Sequence, residues 1–316
     1  MTPRVRWTAF TTVLLFMWQL SYAGPLPDRI KERRAAQQAH QTEGDEPAGP
    51  VSLPVGVRLL RDVPYGKDDR QRMDVYLPRQ ASAAPVILMV HGGGWRWGDK
   101  GMKTVVENKV ARWVPRGFVF ISVNYRMLPD AGPAEQAQDI ARALAAAQSQ
   151  AASWGGDPAR FILMGHSAGA HLVALLSASP EQAFTLGAQP WLGTVSLDSA
   201  ALDVVETMKA RHLRLYDTAF GSDPTYWKST SPFHALSGHA TPLLAVCSSR
   251  RSDACPQAKQ YAARARSLGV QAAVLEQDLS HKDINQTLGL ESPYTEAVES
   301  FLSSLDASVK LALAKH

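Results

Sequence analysis

The chain has 316 residues, 45% hydrophobic and 20% charged, a globular composition that excludes collagen-like, coiled-coil and wholly disordered classes. Lys and Arg outnumber Asp and Glu by only 33 to 29, and no cluster of basic and aromatic residues indicates a nucleic-acid partner. The 2 cysteines are too few for a zinc ribbon or a disulfide scaffold, and a chain of this length needs neither to fold.

The N-terminus has the pattern of an export signal. Arg4 and Arg6 precede an apolar stretch over 7–20, and the sequence SYA follows at 21–23, with small residues where signal peptidase cleaves. The apolar stretch is shorter than the ~20 residues of a permanent membrane helix. An uncleaved anchor is the alternative. We expect a signal peptide over 1–23, a mature chain from Gly24 in the periplasm or the medium, and no stable membrane insertion after cleavage.

The next segment, 24–50, predicts a disordered tether, because its Pro, Gln, Ala and charged residues bury too little apolar surface to offset the entropy of ordering.

From 51 to 305, short apolar runs alternate with helical stretches, which predicts one α/β domain whose mostly parallel sheet is covered by helices on both faces. Residues 200–240 depart from this alternation and predict a small cap, and 306–316 predict a C-terminal tail. The predicted strands cover 57–63, 73–77, 86–90, 118–123, 161–164, 193–197, 243–247 and 270–275. The predicted helices cover 103–113, 134–152, 168–178, 257–268 and 294–305.

The strongest chemical signal is GHSAG at 165–169, between a predicted strand and a predicted helix. A serine on such a sharp turn needs small neighbours, and the turn lifts its hydroxyl clear of the sheet. A second signal, HGGGW at 91–95, follows a buried strand, where consecutive glycines let backbone N–H groups converge on a developing oxyanion. Ser167 is therefore the predicted nucleophile.

These motifs resemble the α/β-hydrolase superfamily, with the HGGG-type oxyanion loop of the hormone-sensitive-lipase-like esterases. Further segments are similar to the arylformamidase- and feruloyl-esterase-like branch: NYRMLP at 124–129, WGGDPARFILMGHSAGAHLVALL at 154–176, SPFHAL at 231–236 and LSHKDIN at 279–285. The resemblance implies an α/β-hydrolase fold and hydrolysis of carboxylic esters, or sometimes formamides, through an acyl-serine. It also implies that the N–H groups of Gly93, Gly94 and Ala168 form the oxyanion hole.

The general base is predicted to be His281, because in this fold the histidine comes last and follows the last strand. The other histidines lie in tails, in the two motifs, on the helix after Ser167 or in the predicted cap: His40, His316, His91, His166, His171, His212, His234 and His239.

The acid is predicted to be Asp253, because it follows the strand at 243–247 and precedes Pro256, as the family commonly shows. The approach to it departs from the family pattern, since Arg250 and Arg251 precede the acid. Asp278 is the rival acid, whereas Asp99 and Asp198 are assigned structural roles.

The two cysteines, Cys247 and Cys255, lie on either side of the predicted acid and predict a disulfide in an exported protein. Two buried free thiols are the alternative.

Three tryptophans are predicted to line the substrate pocket: Trp95, Trp97 and Trp227. No His, Cys and carboxylate cluster has metal-ligand spacing, and no glycine loop has the phosphate-binding pattern, so neither a metal nor a cofactor is expected.

The predicted function is an exported serine esterase acting on small-molecule esters with short or aromatic groups. The alternatives are a formamidase, amidase or exopeptidase with the same triad, and a catalytically idle hydrolase fold used for binding. The sequence does not decide the oligomeric state.

Overall fold

Fully buried apolar runs form the middle of an eight-stranded sheet in the computed structural model, which describes residues 51–315. The predicted signal peptide and tether lie outside the described residues. The sheet order is β1-β2-β4-β3-β5-β6-β7-β8, with β1 and β2 antiparallel to their neighbours and all other pairs parallel. The strands are β1 (Arg58–Pro64), β2 (Arg72–Leu77), β3 (Ala84–Val90), β4 (Val119–Val123), β5 (Gly156–His166), β6 (Gly193–Leu197), β7 (Leu243–Ser248) and β8 (Ala272–Gln277).

Helices cover both faces of this sheet. They are α1 (Lys103–Trp113), α2 (Pro133–Gln150), α3 (Ala168–Ala178), α4 (Glu181–Thr185), α5 (Val204–Lys209), α6 (Arg214–Phe220), α7 (Pro224–Ser229), α8 (Pro232–Ala235), α9 (Ala254–Ser267), α10 (His281–Gln286), α11 (Pro293–Leu305) and α12 (Ala307–Leu313), with a 3-10 turn at Ala151–Trp154. This topology confirms the predicted α/β-hydrolase fold.

The central strand β3 shows how the two faces form. Its seven residues are all buried, and because successive side chains point to opposite faces, they divide between two cores. Leu88 packs in the core with α2 and α3, whereas Ile87 and Met89 pack in the core with α1 and α11. A strand covered on both sides therefore has the continuous apolar sequence from which it was predicted.

Two predicted segments differ in their detail from the structure. Residues 200–240 contain the four short helices α5 to α8, and the α6 side chains of Leu215 and Tyr216 border the pocket beside Ser167, as a cap does. The predicted C-terminal tail is wrong for most of its length, because α12 occupies it. The Asp306 carboxylate accepts the N–H groups of Ser308 and Val309 and so begins that helix, and Val309 is fully buried.

Between residues 51 and 315, no helix is both long and apolar enough to cross a bilayer.

Candidate active site

Ser167 lies on the turn between β5 and α3 in a strained conformation, with φ +55°. Its N–H donates to the carbonyl of Leu197, 2.9 Å away, which anchors the turn to β6. The glycines of the motif are sterically required: a Cβ on Gly165 would lie 2.4 Å from the carbonyl oxygen of Gly169, and one on Gly169 would lie 2.4 Å from that of Val90. The predicted strand–turn–helix context is thus the one observed.

His281 is the histidine that faces this serine. Its Nε2 lies 3.0 Å from Ser167 Oγ. It is the first residue of α10, whose start is capped by Ser280, because the Ser280 hydroxyl accepts the N–H of Asp283. The structure therefore brings the predicted nucleophile and the predicted base into hydrogen-bonding contact.

The carboxylate behind His281 belongs to Asp198, and the prediction of Asp253 for this place is wrong. Asp198 follows β6, is fully buried, and lies with Oδ2 2.5 Å from His281 Nδ1. Asp253 precedes α9, has a side chain 51% exposed, and contacts Arg251 Nε at 3.2 Å. The rival Asp278 is 82% exposed and pairs with Arg250.

Both β6 and β7 end at the edge of the sheet where Ser167 lies, and they are parallel neighbours. A carboxylate after either strand has the chain order of serine, acid and histidine, so order alone does not discriminate between them. The signal that points to Asp198 is a carboxylate placed directly after a strand whose residues are all buried. A group that cannot reach water there needs partners, and Asp198 has them.

The partners of Asp198 keep it ionised. Burial alone would raise the pKa of this carboxyl group, but the Arg251 guanidinium and the hydrogen bonds from His281 and from the Ser248 N–H outweigh burial and hold the pKa well below its usual range. The Ser248 N–H donates to Oδ1 at 2.8 Å. Asp198 is therefore an acceptor for His281 Nδ1–H at neutral pH.

Two other histidines near the site, His166 and His91, contact backbone carbonyl groups. His166 contacts the carbonyl oxygen of His281 through Nε2 at 3.0 Å, and burial together with the nearby His281 keeps its pKa well below the ordinary value. His91 contacts the carbonyl oxygen of Gly92 through Nδ1 at 2.7 Å, and burial lowers its pKa to about 4. Both rings are therefore neutral near pH 7.

The predicted oxyanion residues divide into two groups. Gly94 and Ala168 line the pocket beside Ser167, and Ala168 begins α3, so its N–H has no acceptor within the helix. Gly93 is not among the lining residues. It forms the tight turn before them, with φ +108° and with its carbonyl oxygen accepting the Trp97 N–H.

The pocket beside Ser167 is small, about 10 Å³, which is space for about one water molecule. A larger cleft of about 340 Å³ adjoins it and shares the walls of Ala200, Tyr216 and Arg251. We call the first the inner pocket and the second the outer cleft.

Of the three predicted pocket tryptophans, one lies in the inner pocket. Trp95 lines it, is buried, and packs edge-on against Tyr216 and Phe220. Trp97 is 39% exposed beside Arg96, outside the lining. The indole N–H of Trp227 donates to the carbonyls that end α6, so this ring holds the cap helices together.

The predicted bond between Cys247 and Cys255 is present, with the Cα atoms 5.1 Å apart. It closes the loop from the end of β7 to the start of α9, which contains Arg251.

We expect reduction of this bond to lower the free energy of unfolding by about 2–3 kcal/mol, because the unfolded chain regains the entropy of the short loop. Urea denaturation with and without dithiothreitol measures the difference. The variant Cys247→Ala/Cys255→Ala is the control, since dithiothreitol should leave its midpoint unchanged. Two reactive thiols in the native oxidised protein would contradict the bond.

Among residues 51–315, no three His, Cys, Asp or Glu side chains are grouped so that they could hold a metal ion.

Known proteins resemble this chain along most of the described region. The family model BD-FAE matches residues 73–246. A probable isoprenylcysteine alpha-carbonyl methylesterase of Oryza sativa subsp. japonica is 35% identical over 118 residues, 37% of this chain and 27% of the relative. Esterase LipQ of Mycobacterium tuberculosis is 28% identical over 200 residues, 58% of this chain and 47% of the relative. Kynurenine formamidase of Danio rerio is 31% identical over 120 residues, 38% of this chain and 39% of the relative.

The chain thus spans half or less of these curated relatives. Among solved structures, esterase B from Lactobacillus rhamnosis has a TM-score of 0.67 at 19% identity, covering 90% of this chain and 94% of the other. A truncated carbohydrate esterase from gut microbiota also has a TM-score of 0.67, at 16% identity, covering 84% and 99%. These likenesses agree with the fold, and the family model covers more than half of the sequence: the chain belongs to the BD-FAE family of α/β-hydrolase esterases.

Proposed function

We propose that this protein is a serine carboxylic-ester hydrolase that works through an acyl-serine intermediate. The observation that carries the proposal is the alignment of Ser167 Oγ, His281 and Asp198, with 3.0 Å between Oγ and Nε2. His281 Nε2 accepts the hydroxyl proton as Ser167 Oγ attacks the ester carbonyl, and then returns it to the leaving alcohol. Water, activated by the same nitrogen, hydrolyses the acyl-serine.

Asp198 stabilises the imidazolium that forms in each step. Its carboxylate holds Nδ1–H, which leaves Nε2 unprotonated and directed at the serine. The N–H groups of Gly94 and Ala168 border the same pocket as Ser167, and we assign them to the oxyanion. Two donors aimed at the developing charge lower the barrier because they need no reorganisation.

The dimensions of the two cavities favour short acyl groups. We assign the inner pocket to the acyl group and call it the acyl pocket from this point. It is enclosed by Trp95, Leu215 and Tyr216, so a long alkyl chain would meet its aromatic and aliphatic walls. The outer cleft has space for the alcohol portion. A methylesterase and esterase LipQ among the relatives support ester substrates, while the kynurenine formamidase, together with a pocket of this size, supports aryl formamides as the second candidate.

Labelling with a fluorophosphonate tests the mechanism. We expect a single adduct, which peptide mass spectrometry places on Ser167. Heat-denatured protein is the control for non-specific labelling. A folded protein that takes no label would favour the alternative of a catalytically idle hydrolase fold used for binding.

A panel of p-nitrophenyl esters tests the substrate class. We expect kcat/KM to be highest for acetate and to fall by about tenfold or more at octanoate, since the acyl pocket rejects added methylenes. N-formyl anilines in the same panel separate the two candidates. Preference for octanoate would contradict the assignment of the acyl pocket.

Export is a separate proposal that rests on the signal pattern of residues 1–23 and is supported by the disulfide, which persists in oxidising compartments. Intact mass of protein recovered from the periplasm or medium should correspond to a chain that begins at Gly24. Exported protein that retains residues 1–23 would overturn cleavage before Gly24, and protein found only in the cytoplasm would overturn export.

A further inference from the structure

Arg251 contacts both the Asp198 carboxylate and the His281 imidazole, although the proposed mechanism does not require a positive charge there. Its Nη1 lies 2.9 Å from Asp198 Oδ2, 3.2 Å from the Asp198 carbonyl oxygen and 2.9 Å from His281 Nδ1. Its Nε lies 3.2 Å from Asp253 Oδ1. The side chain is 15% exposed. The arginine thus lies between two carboxylates, one of which belongs to the proposed triad.

Two donors converge on a single oxygen in this arrangement. An ionised carboxylate is only an acceptor, so Asp198 Oδ2 receives both the Arg251 N–H and the His281 Nδ1–H. Because both nitrogens carry hydrogens directed at Oδ2, their contact with each other brings a permanent positive charge against the imidazole. A second proton on His281 would place two cations side by side.

We propose that Arg251 is a positioning residue that holds the Asp198 carboxylate in line with His281 and places a permanent positive charge against its imidazole. This inference rests on the proposed function.

The charges around His281 determine the direction in which the acid limb of the kcat/KM profile moves in each variant. Removing Arg251 takes away the cation and leaves Asp198 unneutralised, and both changes make protonation of His281 easier. Since protonated His281 cannot accept the serine proton, the acid limb of the kcat/KM profile then moves to higher pH. Removing Asp253 leaves Arg251 less neutralised, so the limb moves to lower pH.

The titratable groups around the site are Asp198, Arg251, Asp253, His166, Lys109, Tyr216, Tyr294, Lys282 and Asp283.

Of these, Lys109 also titrates in the working range, because burial lowers its pKa to about 7. It is present in every variant compared, so its contribution is common to all the profiles.

The test is the pH dependence of p-nitrophenyl acetate hydrolysis by Arg251→Met. We expect its acid limb to lie about one pH unit or more above that of the wild type, with a lower kcat on the plateau. Arg251→Lys keeps the charge and should keep the limb near its wild-type position, while kcat falls because an ammonium cannot reproduce the guanidinium contacts. Arg250→Met is the matched control for the acid limb alone: this neighbouring arginine also borders the outer cleft, but its side chain is 53% exposed and pairs with Asp278, so solvent screens its charge from His281.

An acid limb of Arg251→Met that coincides with the wild type would overturn the inference, whatever happens to kcat or KM. If Arg251→Met does not fold, as judged by circular dichroism, Asp253→Asn decides: a limb shifted to lower pH supports the proposal, and an unshifted or raised limb contradicts it. An inactive wild type that takes no fluorophosphonate at Ser167 is a different result, since it removes the proposed function itself.

Discussion

Replacing Ser167 by alanine is expected to lower kcat for p-nitrophenyl acetate by about 10⁴- to 10⁶-fold, because no other group can form the acyl intermediate. The remaining rate comes from the oxyanion donors and from binding, which the change does not touch. Alanine fits the turn as far as volume is concerned, and the N–H bond to the Leu197 carbonyl remains. Steady-state kinetics, with a titration of active sites in the wild type, measures the ratio.

Ser179→Ala is the matched control, because it makes the same change at the other end of α3, where Ser179 contacts Glu181. We expect it to retain kcat within about twofold. Equal thermal midpoints for the two variants would show that the loss at Ser167 is chemical. Near-wild-type turnover by Ser167→Ala would rule out the acyl-serine mechanism.

The second large effect separates two aspartates. Asp198→Asn is expected to lower kcat by about 10⁴-fold, because an amide presents a donor to His281 Nδ1 and favours the wrong tautomer. Asp253→Asn should stay within about tenfold when measured on the pH plateau, since Asp253 contacts His281 only through Arg251. The two variants make the same chemical change in loops that follow adjacent strands. A greater loss in Asp253→Asn than in Asp198→Asn would reverse the assignment of the acid.

The sheet could be predicted because its central strands are apolar on both faces. The bounds predicted for 103–113, 168–178 and 193–197 are those of α1, α3 and β6. The cap helices are four to seven residues long, too short for a helical period to be visible. Helix α12, in the segment predicted as a tail, is buried through its contact with α11. A contact between two helices is not visible in the sequence pattern of either one, so this helix could not be predicted locally.

The candidate site was predictable where chemistry and backbone geometry share one motif. Ser167 needs glycines beside it, and the five consecutive residues of the motif contain both the nucleophile and those glycines. The acid has no such local requirement, because any carboxylate at the right strand end can reach His281. The one local signal is that Asp198 directly follows the buried strand β6. Burial of the carboxylate and its contact with Arg251, which also separate Asp198 from Asp253, are properties of the packed molecule.

The disulfide closes the loop that holds the Asp198 carboxylate. Cys247 and Cys255 are 8 residues apart, and the closed loop contains both the Ser248 N–H and the Arg251 side chain that hold Asp198. Ser167 and His281 lie outside it. A chain whose cysteines are still reduced would have its nucleophile and base in place but a less constrained acid. The bond therefore constrains the loop that holds Asp198 and leaves the contact between Ser167 and His281 to the rest of the fold.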